Sequence, residues 1–225
     1  MAESIKKLVV FDLDDTLFKE REYESSGFRY VAGELAQRYN VTESSLIDIM
    51  FADGIMHPFD RLYDYLDKAV SIDEMIHLYR NHFPKLTLPP DTIKCLNRLK
   101  QEAILLGIIT DGRHVAQWSK IESLGLTEYI DSSNIIVSED VGGDKTTLTP
   151  WHRMCSLTTG VEERWYVGDN IMKDFVMPNK LGWTTVMLAD DGNNVHSQNV
   201  IVTDEYRPHY TIESLDRLPG LVIGR

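Results

Sequence analysis

Acidic and hydroxyl side chains follow a short apolar run near the start of the sequence. Asp12, Asp14 and Thr16 come directly after the run at residues 8–11. Carboxylates this close together repel one another and cannot all stay ionised without a compensating charge. Mg²⁺ prefers oxygen ligands and usually takes one or two carboxylates together with water and substrate phosphate. The pattern therefore favours a site that holds a divalent cation.

Later apolar runs end in the same kinds of side chain. The residues that follow these runs and could take part in chemistry are Thr110, Asp111, Gly112, Lys145, Asp169 and Asp174. A lysine and a hydroxyl can hold the oxygens of a phosphoryl group and stabilise the charge of its transition state. The combination of carboxylates, one lysine and one hydroxyl therefore points to phosphoryl chemistry.

The apolar runs themselves are typical of buried strands in a parallel sheet, which read as continuous hydrophobic stretches. They cover residues 8–11, 104–110, 135–137, 165–167 and 184–188. Helical patterns separate the later runs, and strand–helix alternation predicts an α/β, Rossmann-like domain with helices on both faces of a parallel sheet. Since ligands bind at the carboxyl ends of such strands, the polar residues should meet at one edge.

Two of the helical patterns are specific enough to test. Val115, Trp118, Ile121 and Leu124 recur at helical spacing and predict one buried face, with the helix ending at Gly125. Residues 171–181 predict a further helix that ends before a glycine.

The first and second apolar runs are separated by far more chain than an ordinary crossover needs. Helical spacing continues through residues 28–39, and further helices are predicted at 43–51, 59–68 and 72–83. Long structureless loops are rare inside compact domains, so this segment should form a helical domain of its own.

We place this helical domain at residues 18–87, inserted after the first strand, and the α/β core at residues 1–17 and 88–225. The stretch 53–58 interrupts the helical pattern of the insert. It either approaches the catalytic edge or is an ordinary connection between helices.

The ordered motifs resemble those of the haloacid dehalogenase (HAD) superfamily, and the insertion resembles the helical C1 cap of that superfamily. The resemblance covers nearly the whole chain. It implies that Asp12 is a nucleophile that forms an aspartyl-phosphate, and that Asp14 is first a general acid and then a general base. It also implies that Thr110 and Lys145 hold phosphoryl oxygens.

The same resemblance implies a Mg²⁺ site and a reaction class. Asp12, the backbone carbonyl of Asp14, and Asp169 would bind Mg²⁺, and Asp174 would either bind it or orient the ligands. Thr16 would position Asp14. A dehalogenase lacks the second aspartate because a halide leaves without a proton, so the presence of Asp14 favours phosphoryl transfer over dehalogenation.

The sequence departs from the superfamily pattern at two positions. Lys145 is followed by threonine rather than by the usual proline. Asp111 stands where relatives often have asparagine, and we expect its side chain to turn away from the phosphate and cap the turn at Gly112. The backbone N–H of Asp111 would still serve the site, and Gly112 is the neighbouring candidate for substrate binding. We expect Asp15 to be a solvent-facing turn residue and Lys173 to be a solvated helix residue.

Composition limits the possible partners. The formal net charge is −12, and the sequence contains no block of basic residues, so a nucleic acid polymer and an anionic membrane are unfavourable partners. Two cysteines outside any C-x-x-C pair and the lack of a signal peptide predict a soluble protein of the reducing cytoplasm. The expected partner is a small phosphorylated molecule, and no oligomeric state is predicted.

We therefore expect a Mg²⁺-dependent phosphatase of a small phosphomonoester. A phosphomutase would use the same aspartyl-phosphate and remains an alternative. From another class, a phosphoacceptor signalling module places similar residues at a sheet edge, although the helical insert argues against it. A binding protein with a decayed site is the third alternative, against which the complete set of acidic residues argues.

Overall fold

The computed structural model describes residues 6–52 and 57–224. Among these residues, six strands form one parallel sheet in the order β3-β2-β1-β4-β5-β6. The strands are β1 (Lys7–Phe11), β2 (Leu105–Thr110), β3 (Ile135–Val137), β4 (Glu163–Gly168), β5 (Thr184–Leu188) and β6 (Tyr210–Ile212). The prediction of an α/β fold with a parallel sheet is confirmed.

Strand register brings the polar residues to one edge of the sheet. β1 lies between β2 and β4, with Phe11 opposite Ile108 on one side and Val167 on the other. The residues that follow β1 and β4 therefore leave the sheet at neighbouring positions, and the end of β2 lies beside them. The strand ends are parallel and adjacent, which is the arrangement that builds ligand sites in open α/β sheets.

Most helices of the α/β unit lie between successive strands, and the last one follows β6. They are α5 (Pro90–Gln101), α6 (His114–Ser123), α7 (Ser138–Val141), α8 (Thr149–Leu157), α9 (Val176–Lys180) and α10 (Leu218–Ile223). Proline occupies the first turn of α5 and α8, where its missing N–H costs no hydrogen bond. Gly125 follows α6 with φ +64°, the left-handed conformation that ends a helix.

Aromatic residues fill the core on one face of the sheet. Trp151 of α8 is fully buried and packs edge-on against Tyr166 of β4 and against Trp183, with ring centroids 4.7 and 5.5 Å apart. Leu8 and Val10 of β1 belong to the same cluster. The sheet is therefore fixed to α8 directly beneath the edge where the polar residues meet.

The chain divides into two compact units, one made of residues 1–21 and 87–225 and the other of residues 22–86. The predicted boundaries lie at 17/18 and 87/88, and the first two residues of α1 (Glu20–Tyr39) belong to the α/β unit. That the helical unit is a substrate-selecting cap stays a prediction.

The helical unit has its own core. Its elements are α1, which starts just before it, α2 (Glu43–Phe51), α3 (Pro58–Tyr65) and α4 (Ile72–Asn81). Val31, Leu35 and Leu62 are fully buried in one hydrophobic cluster. Most of the segment at 53–58, for which two roles were open, lies outside the described residues.

Three local expectations need correction. The weakly patterned strand β6 was not predicted, and the expected helix at 171–181 is reduced to α9, preceded by turns. The buried face of α6 is formed by Gln117, Lys120 and Ile121, while Val115 is 48% exposed. No helix within the described ranges has the length and apolar character of a transmembrane span.

Candidate active site

Asp12 leaves the end of β1 and contacts a buried lysine. Its backbone N–H donates to the carbonyl of Val167, which continues the sheet pairing one residue beyond the strand. The Lys145 Nζ atom lies 2.8 Å from Asp12 Oδ2 and 2.7 Å from Asp174 Oδ1. All three side chains are at least 93% buried. One ammonium group therefore bridges two carboxylates that come from different strand ends.

The aromatic core holds both Lys145 and Asp174 in place. Trp151 Nε1–H donates to the backbone carbonyl of Lys145 at 3.0 Å, and the Tyr166 hydroxyl donates to Asp174 Oδ1 at 3.2 Å. The Asn170 backbone N–H donates to Asp174 Oδ2 at 2.8 Å. Since interiors are close-packed and resist displacement, these contacts fix the charged groups of the site.

Gly168, the last residue of β4, makes room for Asp174. A Cβ atom at position 168 would overlap the Asp174 carboxylate. The close approach of backbone and carboxylate at this point requires glycine.

Asp169 is held by the loop that follows β5. Asn194 Nδ2 donates to Asp169 Oδ2, and Gln198 Nε2 donates to the Asp169 backbone carbonyl, both at 2.9 Å. Asp15 fixes the same loop, because its Oδ2 accepts from the Val195 N–H at 2.8 Å. Asp15 is 3% exposed and has φ +52°, so the expectation of a solvent-facing residue was wrong.

The electrostatics of the site show a deficit of positive charge. Burial raises the pKa of Asp12 well above its usual range, Lys145 opposes this, and Asp174 and Asp169 add to it. Burial and the charges of Asp174 and Asp15 raise the pKa of Asp169 to about 8. Burial alone would lower the pKa of Lys145, but Asp12 and Asp174 outweigh it and raise that pKa well above its usual value.

The donor set fits a hard divalent cation. Oxygen atoms of Asp12, Asp169 and Asp174 all lie within 4.8 Å of one another. Three carboxylates that face one ammonium group leave an excess of negative charge, and a cation with oxygen preference would relieve it. The three carboxylates expected at the metal site therefore lie close together.

Asp14 lies at the same edge but has separate partners. Its Oδ1 is 2.7 Å from Lys120 Nζ, and its Oδ2 accepts from Gln117 Nε2 at 2.9 Å. The same amide nitrogen lies 2.5 Å from Thr110 Oγ1. The sequence analysis did not identify Gln117 and Lys120, because the apolar spacing of α6 predicted its buried face from other residues.

A small cavity of about 120 Å³ joins these groups. The predicted site residues among those that line it are Asp12, Asp14, Thr110, Asp111, Lys145 and Asp169. The polar residues that line it and were not predicted as site residues are Asp15, Glu20, Asn170, Lys173 and His196. The residues expected to form the reaction centre thus share one hollow in the α/β unit.

The local contacts of Thr16, Asp111 and Gly112 differ from those expected. Thr16 is buried away from this cavity, and its hydroxyl has no hydrogen-bond partner within the described residues, because the chain turns at Asp15. Asp111 does not cap the turn at Gly112; its Oδ1 accepts from the Lys145 N–H at 3.0 Å. The Gly112 N–H donates to Ser138 Oγ instead of facing the cavity.

Lys173 also differs from its expected role. Its ammonium lies 3.7 Å from Asp111 Oδ2 and lines the cavity, although the side chain is 45% exposed. Lys173 directly precedes Asp174, and this position in the sequence could have indicated that it lies near the site.

Comparison with known proteins shows the family of the chain. The family model described as haloacid dehalogenase-like hydrolase matches residues 9–188. A protein of Methanocaldococcus jannaschii named glyceraldehyde 3-phosphate phosphatase is 33% identical, with 96% of each chain covered. A protein of Halopiger xanaduensis named ribulose-1,5-bisphosphate 5-phosphatase is 26% identical, with 95% of this chain and 98% of that one covered.

A solved structure shows the same fold. The HAD phosphatase of Thermococcus onnurineus superposes with a TM-score of 0.62 at 24% identity, and the match covers 97% of this chain and 99% of that one. The likeness extends over nearly the whole of both chains.

Proposed function

Because the chain belongs to the haloacid dehalogenase-like hydrolase family and its relatives identify it as a phosphatase, we propose that it cleaves a small phosphomonoester through a phosphorylated Asp12 in a Mg²⁺-dependent reaction. The observation that carries this proposal is the cavity shared by Asp12, Asp14 and Lys145. A nucleophile, a proton-transfer group and a cation for the phosphoryl oxygens are the parts that such a reaction needs.

The reaction has two steps. In the first, a carboxylate oxygen of Asp12 attacks phosphorus, the bond from phosphorus to the ester oxygen breaks, and Asp14 gives that oxygen a proton. In the second, Asp14 takes a proton from water and the water oxygen attacks phosphorus. The bond from phosphorus to the Asp12 oxygen breaks, and inorganic phosphate leaves. Lys145 and the Thr110 hydroxyl hold the phosphoryl oxygens in both steps.

Asp12, Asp169 and Asp174 would hold Mg²⁺, together with the backbone carbonyl of Asp14. When bound, the ion compensates negative charge on the phosphoryl oxygens and on the carboxylates. Lys145 alone leaves the pKa of Asp12 raised, so a further positive charge keeps this carboxylate ionised and able to attack.

The substrate class that we propose is a short-chain phosphorylated aldose or ketose. The support is the relatives' names, which refer to glyceraldehyde 3-phosphate and ribulose 1,5-bisphosphate. The cavity in the α/β unit, about 120 Å³, suits a phosphoryl group and leaves the rest of the substrate to contacts outside it.

The proposal is tested by measuring phosphate release from a panel of phosphomonoesters, with Mg²⁺ and with excess EDTA. The panel contains glyceraldehyde 3-phosphate, ribulose 1,5-bisphosphate, a nucleoside monophosphate and phosphoglycolate. We expect release of free phosphate with Mg²⁺, strongest for the sugar phosphates, and none with EDTA.

Asp12→Asn is expected to abolish turnover. Asp204→Asn is the matched control, because Asp204 has a carboxylate that is 94% exposed in the same unit. Near-normal rates for Asp12→Asn would overturn the assignment of the nucleophile. A phosphoryl group that moves to another hydroxyl without release of phosphate would identify a mutase instead.

A further inference from the structure

One face of α6 presents two buried polar residues to Asp14. Gln117 and Lys120 are three positions apart, which puts them on the same side of the helix, and they are 2% and 3% exposed. A buried lysine or amide is costly unless its donors have partners. At this face the partners include the oxygens of Asp14 and Thr110.

The contacts hold both oxygens of the Asp14 carboxylate. Lys120 Nζ lies 2.7 Å from Oδ1, and Gln117 Nε2 lies 2.9 Å from Oδ2. A carboxylate that is fixed at both oxygens cannot rotate freely about its bond to the chain. The Lys120 ammonium also faces the buried ring of Phe18, 6.0 Å from its centroid, and this contact restricts the lysine itself.

Gln117 connects Asp14 to the residue at the end of β2. Its Nε2 carries two hydrogens, which allows one bond to Asp14 and one to Thr110 Oγ1. Because the Thr110 oxygen then accepts a hydrogen bond from Gln117, its own hydrogen is directed to another acceptor, and Thr110 lines the cavity. The amide therefore sets the relative placement of two side chains that face the substrate.

We propose that Gln117 and Lys120 are positioning residues for proton transfer in the active site. Lys120 holds Asp14 in the orientation in which it reaches the leaving oxygen. Gln117 holds Asp14 and the Thr110 hydroxyl in one fixed geometry. The inference rests on the proposed function, in which Asp14 transfers the proton and Thr110 holds a phosphoryl oxygen.

The experiment compares an alkyl phosphate with p-nitrophenyl phosphate, using kcat/KM in saturating Mg²⁺. An alkyl alcohol leaves poorly without a proton, whereas p-nitrophenol leaves as a stable phenolate. We expect Lys120→Met to lower kcat/KM about 100-fold for the alkyl ester and less than about 5-fold for the aryl ester, since general acid catalysis contributes to the alkyl reaction. Gln117→Met should lower both values, with the larger loss for the alkyl ester, because it also releases Thr110.

A double-mutant cycle separates positioning from a general structural effect. In the Asp14→Asn background, Lys120→Met should change kcat/KM for the alkyl ester by less than about 3-fold, because residues that act as a unit are not additive. Lys94→Met is the matched control; Lys94 is 69% exposed on α5, and its removal should leave both esters unaffected.

Equal losses of kcat/KM for the two esters in Lys120→Met, or an undiminished loss in the Asp14→Asn background, would overturn the inference. So would unchanged kinetics. If Lys120→Met does not fold in a thermal-unfolding control, Lys120→Gln, which keeps a neutral donor, replaces it. Lys120→Gln should also lose more kcat/KM for the alkyl ester than for the aryl ester, but the difference should be smaller. If the wild-type protein releases phosphate from neither ester, the proposed function fails, a result distinct from loss of selectivity in an active enzyme.

Discussion

Replacing Lys145 by methionine tests whether one buried ammonium group balances two carboxylates at the reaction centre. The side chain keeps its length and loses its charge, which leaves Asp12 and Asp174 facing each other without the group that lies 2.8 and 2.7 Å from them. Removing one partner of a buried ion pair costs about 3–5 kcal/mol, because the remaining charge is uncompensated.

This loss of stability should depend on pH and on metal. Burial raises the pKa of Asp12, so this carboxylate can take up a proton at low pH. Relative to wild type, the free energy of unfolding of Lys145→Met in EDTA should therefore be lower by about 3 kcal/mol at pH 8 and by about half of that near pH 5.5, since a pKa change of one unit is worth about 1.4 kcal/mol. Mg²⁺ should restore part of the stability at pH 8, since it supplies positive charge to the same oxygens.

The assay is urea unfolding of wild type and Lys145→Met at both pH values, with EDTA or Mg²⁺. Lys173→Met is the control, because its ammonium is 45% exposed and 3.7 Å from its partner, and a surface pair contributes about 0–1 kcal/mol. In Mg²⁺, kcat for Lys145→Met should fall about 100-fold to 1,000-fold, as when a group that stabilises transition-state charge is removed. If Lys145→Met in EDTA were as stable as wild type at pH 8, the balance described here would be refuted.

Three further outcomes are expected. The pKa of Asp169 is about 8 against an ordinary value of 3.8, so the folded metal-free protein holds a proton that the unfolded chain releases. The free energy of unfolding in EDTA should therefore fall as pH rises from about 5 to about 8, and a rise would contradict this expectation. Gly168→Ala should displace Asp174 and destabilise the protein by about 1–3 kcal/mol in urea unfolding, with loss of phosphatase activity. Trp151→Phe should leave the Lys145 carbonyl without its donor and cost about 2–4 kcal/mol in urea unfolding, with kcat reduced more than KM changes.

Gly220→Ala is the control for the glycine variant. Position 220 lies in α10, and a Cβ atom there would meet no atom within 4 Å. Alanine in such a helical position is neutral or stabilising by up to about 1 kcal/mol. An equal loss of stability in both glycine variants would show that the effect is not a clash with Asp174.

The sequence predicted the parallel sheet because its strands are buried on both faces and read as continuous apolar runs. β1 and β5 were placed within one residue in this way. β6, by contrast, has only three residues, of which Thr211 is exposed, so no apolar run marks it. The continuous burial that made the other strands readable, including the fully buried edge strand β3, is absent in β6.

The same physical reasoning explains what sequence analysis found and missed at the site. Side chains at strand ends are recognisable because an apolar run ends in a charge, as at Asp12 and Asp169. Gln117 and Lys120 are invisible to this signal, since burial of polar groups is decided by partners on other elements rather than by the helix itself. On α6 the apolar spacing selected Val115, and the hydrogen bonds to Asp14 determined which face is buried instead.

The distribution of charge divides the catalytic edge into two parts with different tasks. At the first, the carboxylates of Asp12, Asp169 and Asp174 lie close together with one ammonium group, that of Lys145, and a divalent cation would relieve the excess of negative charge. At the second, Asp14 is paired with Lys120, so no net charge remains to attract a cation. In the proposed mechanism, a metal ion would be drawn to Asp12 rather than to the Asp14 carboxylate, which would leave Asp14 for proton transfer. An apolar side chain in place of Lys120 would leave Asp14 free to compete for the ion.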